Sequence, residues 1–170
     1  MPASAVDGKV KFREFRNEDA EFCFKTRSAA FIEKFYDEIG PQIVSLCVNA
    51  YMPDDYIEFA RNMKIFILED SGEQLGFVTV KRIEKEVAEI PLIYLSLDSL
   101  GKGYGRRSIE YIEEWVKNNW QDVNKLFVDT IVPNYNGGFY QKMNFIEAGE
   151  SVCVFSGKKV RAKRFEKLIR

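Results

Sequence analysis

Histidine is absent from the 170 residues. That gap excludes Ser-His-Asp and Cys-His nucleophilic catalysis and HExxH metal hydrolysis, because each needs an imidazole. Any proton carrier must then be Glu, Asp, Tyr, Lys, Cys, a terminus or water. Cysteine is scarce, and Cys23, Cys47 and Cys153 are widely separated. An odd number without CxxC spacing argues against a disulfide framework and a structural zinc site, so no metal is expected. Each cysteine reads instead as a small buried apolar residue. No apolar run approaches the ~20 residues that cross a bilayer, and repeats and low-complexity tracts are missing too. The opening MPASAVDGKVKFRE lacks a basic stretch followed by an apolar core, the mark of a secretory signal. The expectation is a soluble cytoplasmic protein with no membrane partner.

What is present suits one domain spanning residues 1–170. Apolar residues make up 46%, enough for a core, and charged residues 30%, enough for a solvated surface. The net charge of −1 hides a split. Residues 157–170 (GKKVRAKRFEKLIR) hold seven basic side chains and one acidic, a net of +6, which leaves −7 for residues 1–156. An acidic body makes nucleic acid an unlikely partner. The basic stretch reads first as a solvated edge strand blunted by Lys and Arg, and second as a phosphate contact.

Residues 9–15 (KVKFREF) alternate and predict a strand. Asn17-Glu18-Asp19 opens a helix with capping side chains, and Gly40-Pro41 stops it. Further helical sequence follows, with a start at Pro53-Asp54-Asp55. Strands are predicted over 64–69, 75–83 and 88–97, then a helix over 108–120. A strand over 126–132, a short helix over 136–142 and a hairpin turning at Ser156-Gly157 complete the chain. This order argues for an α/β fold: a mixed, mostly antiparallel sheet with helices on both faces.

The segment from Ile93 to Arg107 runs strand, loop, helix. Gly101, Gly103 and Gly105 stand at alternate positions, freeing consecutive backbone N–H groups to point at one anion. The helix that follows adds its positive end, and Lys102, Arg106 and Arg107 add full charges. A pyrophosphate site is the physical expectation. The loop is neither a P-loop, which needs GxxxxGK[ST], nor a Rossmann loop, because Arg106 stands where a third glycine belongs.

A second block, Asn134 to Phe145 (NYNGGFYQKMNF), follows a predicted buried strand. Together the two blocks resemble the GNAT superfamily of acyl-CoA-dependent N-acetyltransferases. Residues 100–105 match its [Gln/Arg]-x-x-Gly-x-[Gly/Ala] pattern and 139–145 its Tyr-x-x-x-Gly-Phe segment. Leu100 stands at the usual Gln/Arg position. Asn144 replaces the usual glycine, and Asn tolerates a left-handed backbone best among the other residues.

The resemblance implies a single GNAT-like domain whose fourth and fifth strands splay apart. It implies acetyl-CoA as donor, its pantetheine arm pairing with backbone at Leu95, Ser96 and Leu97. Its pyrophosphate would lie on the loop formed by Leu100, Gly101, Lys102, Gly103, Tyr104, Gly105, Arg106 and Arg107. Either Asn134 or Asn136 would make a further cofactor contact. A primary amine of a small molecule, polyamine or peptide would attack the thioester directly. Tyr140 matches the tyrosine that protonates the departing thiolate. Glu89 matches a strand position used by some members for the base; by alternation it would share a face with Pro91, Ile93, Leu95 and Leu97. Residues 31–63 interleave acids (Asp37, Glu38, Asp54, Asp55) with aromatics; they read first as solvated amphipathic helices, and second as a seat for a cationic acceptor. A GNAT-like module that binds or senses acyl-CoA without turnover is the alternative, and a homodimer is compatible with either.

Overall fold

The computed structural model describes residues 9–132 and 137–170. The chain opens with β1 (Val10–Glu14), whose alternate residues Val10 and Phe12 pack inward. A short 3-10 turn (Asn17–Asp19) then leads into α1 (Ala20–Ile39). Asp19 organises this entry: its carboxylate accepts two bonds from the Arg13 guanidinium (2.8 and 2.9 Å), one from the Arg16 amide (2.7 Å) and one from Gln74 (2.8 Å). Burial pushes the Asp19 carboxyl up, but these donors outweigh it and hold the group below its ordinary value.

Gly40 ends α1 in a conformation open to glycine (φ +88°), and Pro41 begins α2 (Pro41–Asn49). Pro53 likewise begins α3 (Pro53–Phe59), where the Asp55 carboxylate takes the free Met52 amide at 2.7 Å. Strands β2 (Lys64–Asp70), β3 (Glu73–Glu84), β4 (Val87–Glu89) and β5 (Ile93–Leu95) follow. Then come α4 (Tyr104–Asn119), β6 (Lys125–Ile131), α5 (Gly137–Lys142), β7 (Ile146–Phe155) and β8 (Lys158–Leu168).

The strands form one eight-stranded sheet in the order β1-β2-β3-β4-β6-β8-β7, with β5 paired to β3 alone. The β4–β6 pair is parallel and the other described pairs are antiparallel. Ile109, Ile112 and Val116 of α4 cover one face, meeting Phe66, Val78, Val80 and Leu126. Helices α1, α2 and α3 cover the other face, meeting Ile65, Ile67, Phe77 and Ile131. The architecture is the α/β class expected from the sequence. Among the described residues no helix is long and apolar enough to cross a membrane.

Three expectations are corrected. The strand predicted over 88–97 is two strands. The Ile90 amide still reaches the Phe127 carbonyl of β6 (2.9 Å), but the Leu92 amide turns to the Thr79 hydroxyl of β3 (3.0 Å). Pro91 between them has no N–H to give either neighbour. The helix predicted to begin at 108 begins at Tyr104, so the glycine loop leads directly into it. The basic C-terminal strand is not an edge: β8 lies between β6 and β7. Its cations are matched to acids on its neighbours, Arg164 to Asp129 (2.9 Å), Lys167 to Glu113 (2.7 Å) and Lys163 to Glu147 (3.3 Å). That pairing disfavours a nucleic-acid role for the segment.

Candidate active site

The break at Pro91 creates the site. On one side of it β4 is paired to β6; beyond it β5 is held by β3 and has no strand on its other edge. A wedge therefore opens between β5 and β6. It continues into a cavity of about 1320 Å³ that reaches from the glycine loop to α1.

The ladder says which backbone groups face the wedge. Thr79 donates to the Leu92 carbonyl, and Ser96 donates to the Leu75 carbonyl at 2.8 Å. Residues 92, 94 and 96 thus point their amides and carbonyls at β3, leaving those of Ile93 and Leu95 turned to the gap. Of the three residues nominated for pantetheine pairing, Leu95 and Leu97 line the cavity. Ser96 does not: its amide is used on β3 and its hydroxyl on Ser99 (2.6 Å). Ile93, which the sequence did not single out, lines the cavity and turns its backbone to the gap.

At the outer end, Gly103 caps α4 in a left-handed conformation (φ +85°) that a side chain would strain. The first helical bond runs from the Arg107 amide to the Gly103 carbonyl (3.2 Å). Among the described residues, no backbone carbonyl accepts the amides of residues 101–106. The loop is also exposed, so this row of donors can meet an anion. Leu100, Gly101, Gly103, Tyr104, Gly105 and Arg106 line the cavity, while Lys102 and Arg107 lie outside it. Arg106 also pairs with Glu110 at 3.7 Å. Asn134 and Asn136 fall outside the described residues. Asn144 adopts the left-handed backbone expected of it (φ +69°).

Tyr140 and Glu89 both line the cavity. Tyr140, on α5, is buried among Phe139, Phe145 and Phe165, with ring centroids 5.0, 5.6 and 5.8 Å away. Burial first, and Tyr94 second, raise its pKa, so the phenol keeps its proton near neutrality. Glu89 is half-buried. Burial first, and the Asp129 carboxylate second, push its pKa up, against the pull of Arg164 and Lys81.

The break also shifts the alternation. Ala88, Ile90 and Ile93 pack toward α4, whereas Leu92 and Tyr94 pack toward α1. Glu89 therefore shares the α1 side with Leu92 and Tyr94, not a face with Ile93. Cys153 lines the cavity too, but burial with nearby acids pushes its thiol up to about 12, which leaves little thiolate to act as a nucleophile. Of the acids in residues 31–63, Glu33 and Glu58 border the cavity, but the four singled out from the sequence do not. Asp37, Glu38 and Asp54 are exposed, and Asp55 caps α3. Among the described residues there is no cluster of metal-ligating side chains.

A model of the acetyltransferase (GNAT) family matches residues 16–145. No curated protein matches the chain. Solved structures similar to it include a GCN5-related N-acetyltransferase from Rhodopseudomonas palustris, with TM-score 0.77 and 18% identity over 93% of this chain and 94% of that one. The PaiA N-acetyltransferase of Thermoplasma acidophilum in complex with coenzyme A gives TM-score 0.72 and 16% identity over 94% and 98%. The spermidine N-acetyltransferase of Vibrio cholerae in complex with CoA and spermine gives 0.68 and 18% over 95% and 96%. At these identities the likeness establishes the shared fold.

The wedge depends on the close approach of β3 to β5. A Cβ on Gly76 would stand 2.5 Å from the Tyr94 carbonyl oxygen and 2.7 Å from the Leu95 side chain. Gly76→Ala should therefore displace β5 and cost about 1–3 kcal/mol by overpacking. Amide hydrogen exchange at residues 92–96 should quicken while β1 and β2 stay protected. Unchanged exchange in that segment contradicts the assignment.

Proposed function

We propose, on the premise that this chain belongs to the acetyltransferase (GNAT) family, that it transfers an acetyl group from acetyl-CoA to the nitrogen of a small primary amine. Residues 1–170 act in this reading as one catalytic unit. The observation that carries it is a single cavity joining the bare amides of the 101–106 loop to a protonated phenol and a half-buried carboxylate. The loop fits a diphosphate because its donors are unspent and its glycines present no side chain to the anion. The outward N–H and C=O of Leu95 and Ile93 fit an amide-bearing arm lying along the wedge as an extra strand would.

Bound acetyl-CoA supplies the thioester carbon. Glu89, acting directly or through water, takes a proton from the acceptor ammonium, so that a neutral nitrogen forms the new C–N bond. Its raised pKa makes it a better base than an exposed carboxylate. The C–S bond breaks as the amide forms. Tyr140 hydrogen-bonds to the sulfur as negative charge builds there and gives it a proton, leaving free CoA thiol, and the second proton, shed by the acylated nitrogen, returns through water to the phenolate. The aromatic ring of neighbours excludes water, which favours the amine over hydrolysis.

Two measurements test these roles. Tyr140→Phe should lower kcat by about 10²-fold or more while leaving CoA affinity within about twofold. Equal turnover by the variant would instead favour a module that binds acyl-CoA without using this phenol. The pH profile tests Glu89. Only the ionised carboxylate accepts a proton, so kcat should fall as pH drops through a pKa above the ordinary carboxylate value of ~4.3. Glu89→Gln should lose that acid limb together with most of the rate. An acid limb unmoved by the substitution assigns the base elsewhere.

A further inference from the structure

The inner end of the cavity holds a charge that the acetyl-transfer reading does not use. Arg27 of α1 is 1% exposed, yet it lines the cavity. Its Nη1 donates to the Cys47 carbonyl at 2.9 Å. Its Nε and Nη2 are buried without a close acceptor, the Tyr94 hydroxyl being the nearby polar group that interacts with the guanidinium. Arginine cannot shed its proton to escape this position. Four rings surround the guanidinium: Tyr51 at 4.4 Å, Phe31 at 4.9 Å, Phe155 at 5.5 Å and Tyr94 at 5.9 Å. Their faces offset part of the cost of burying the cation, and the Tyr94 hydroxyl is a hydrogen-bonding neighbour of it. A buried charge with open donors asks for an anion, and the planar fork of arginine matches a carboxylate.

The location narrows the ligand. Arg27 and Glu89 both lie within electrostatic reach of Tyr51 and Cys153, so the two opposite charges share one region of the cavity. Glu33 and Glu58 also border the cavity, but both are exposed. Asp129 borders the cavity too, but Arg164 holds its carboxylate at 2.9 Å, so Arg27 is the charge set among the aromatic rings of the inner wall.

We propose that Arg27 selects the acceptor: its open N–H groups receive the carboxylate of a small amine whose nitrogen lies toward Glu89. The inference rests on the acetyl-transfer reading and names its substrate class, a carboxylate-bearing small amine with an apolar body, such as an apolar amino acid. Arg27 contributes no proton to the reaction; it fixes the acceptor for attack. No bond to Arg27 forms or breaks.

The test uses the full chain with saturating acetyl-CoA, following CoA release. Leucine, phenylalanine and methionine are each compared with their amides and their decarboxylated amines, and spermidine is run alongside. Loss of one charge-assisted hydrogen-bonded contact predicts a preference of about 10- to 100-fold in kcat/KM for the amino acids. Arg27→Met, which keeps length and removes charge, should erase that preference, mostly through KM for the amino acids.

Because that variant leaves a methionine among four rings and can misfold, a second readout uses the unaltered protein. N-acetyl-leucine and N-acetyl-leucinamide are titrated calorimetrically, with and without CoA, and the acid alone should bind. Amides or spermidine turned over as efficiently as the amino acids overturn the inference while leaving acetyl transfer standing. No heat from CoA itself sinks the acetyl-transfer reading, and the N-acetyl-leucine titration then decides the carboxylate site alone. No response to N-acetyl-leucine in either condition overturns that site.

Discussion

One backbone discontinuity governs this molecule. Between Ile90 and Leu92 the chain gives up its bond to β6 and takes another on β3, and Pro91 has no amide to bridge the change. A sheet normally satisfies both edges of an interior strand. Here one edge of β5 is left facing a wedge, where solvent or an extended ligand must complete it. The same step shifts the alternation by one residue, so that Leu92 and Tyr94 join Glu89 on the side where α1 carries Arg27. The wedge and its open backbone follow from that one change of partner.

The charges divide by what satisfies them. Asp19 is buried but fully engaged by Arg13, Arg16 and Gln74, and it fixes how β1 enters α1. In the basic C-terminal strand Lys163, Arg164 and Lys167 are matched by acids of β7, β6 and α4. Arg27 is different in kind: its Nη1 is bonded to the Cys47 carbonyl, while Nε and Nη2 lack a close acceptor. Buried groups that are satisfied hold a fold together; Ser28 and Tyr56 also keep open hydroxyls, but of these open groups Arg27 is the one that lines the cavity.

Local signals in the sequence located most elements. Gly40-Pro41 and Pro53 mark helix boundaries through their own backbone restrictions, and Gly101, Gly103 and Gly105 mark a loop whose amides stay free. The strand break was hidden, because AEIPLIYLSL alternates well enough for one strand and the break depends on the reach of β6 and the Thr79 hydroxyl. Arg27 was hidden for the same reason. Within FCFKTRSAA it reads as one more charge on an amphipathic helix, and the Cys47 carbonyl and three of its four rings arrive from other segments. The acids at 37, 38 and 54 misled in the opposite sense, since composition does not say which face of a helix meets the cavity. The C-terminal charges misled because strand order is a long-range property: a basic strand resembles an edge until its acidic neighbours are known.

The central claim is that two separate stretches of open backbone, Ile93 to Leu95 and Gly101 to Arg106, grip one molecule of coenzyme A. Amide chemical shifts followed during a CoA titration test this most directly. The account predicts that both stretches respond together, at one affinity, while the amides of β1 and β8 stay still. A response confined to the basic C-terminal strand, or none in either stretch, contradicts it.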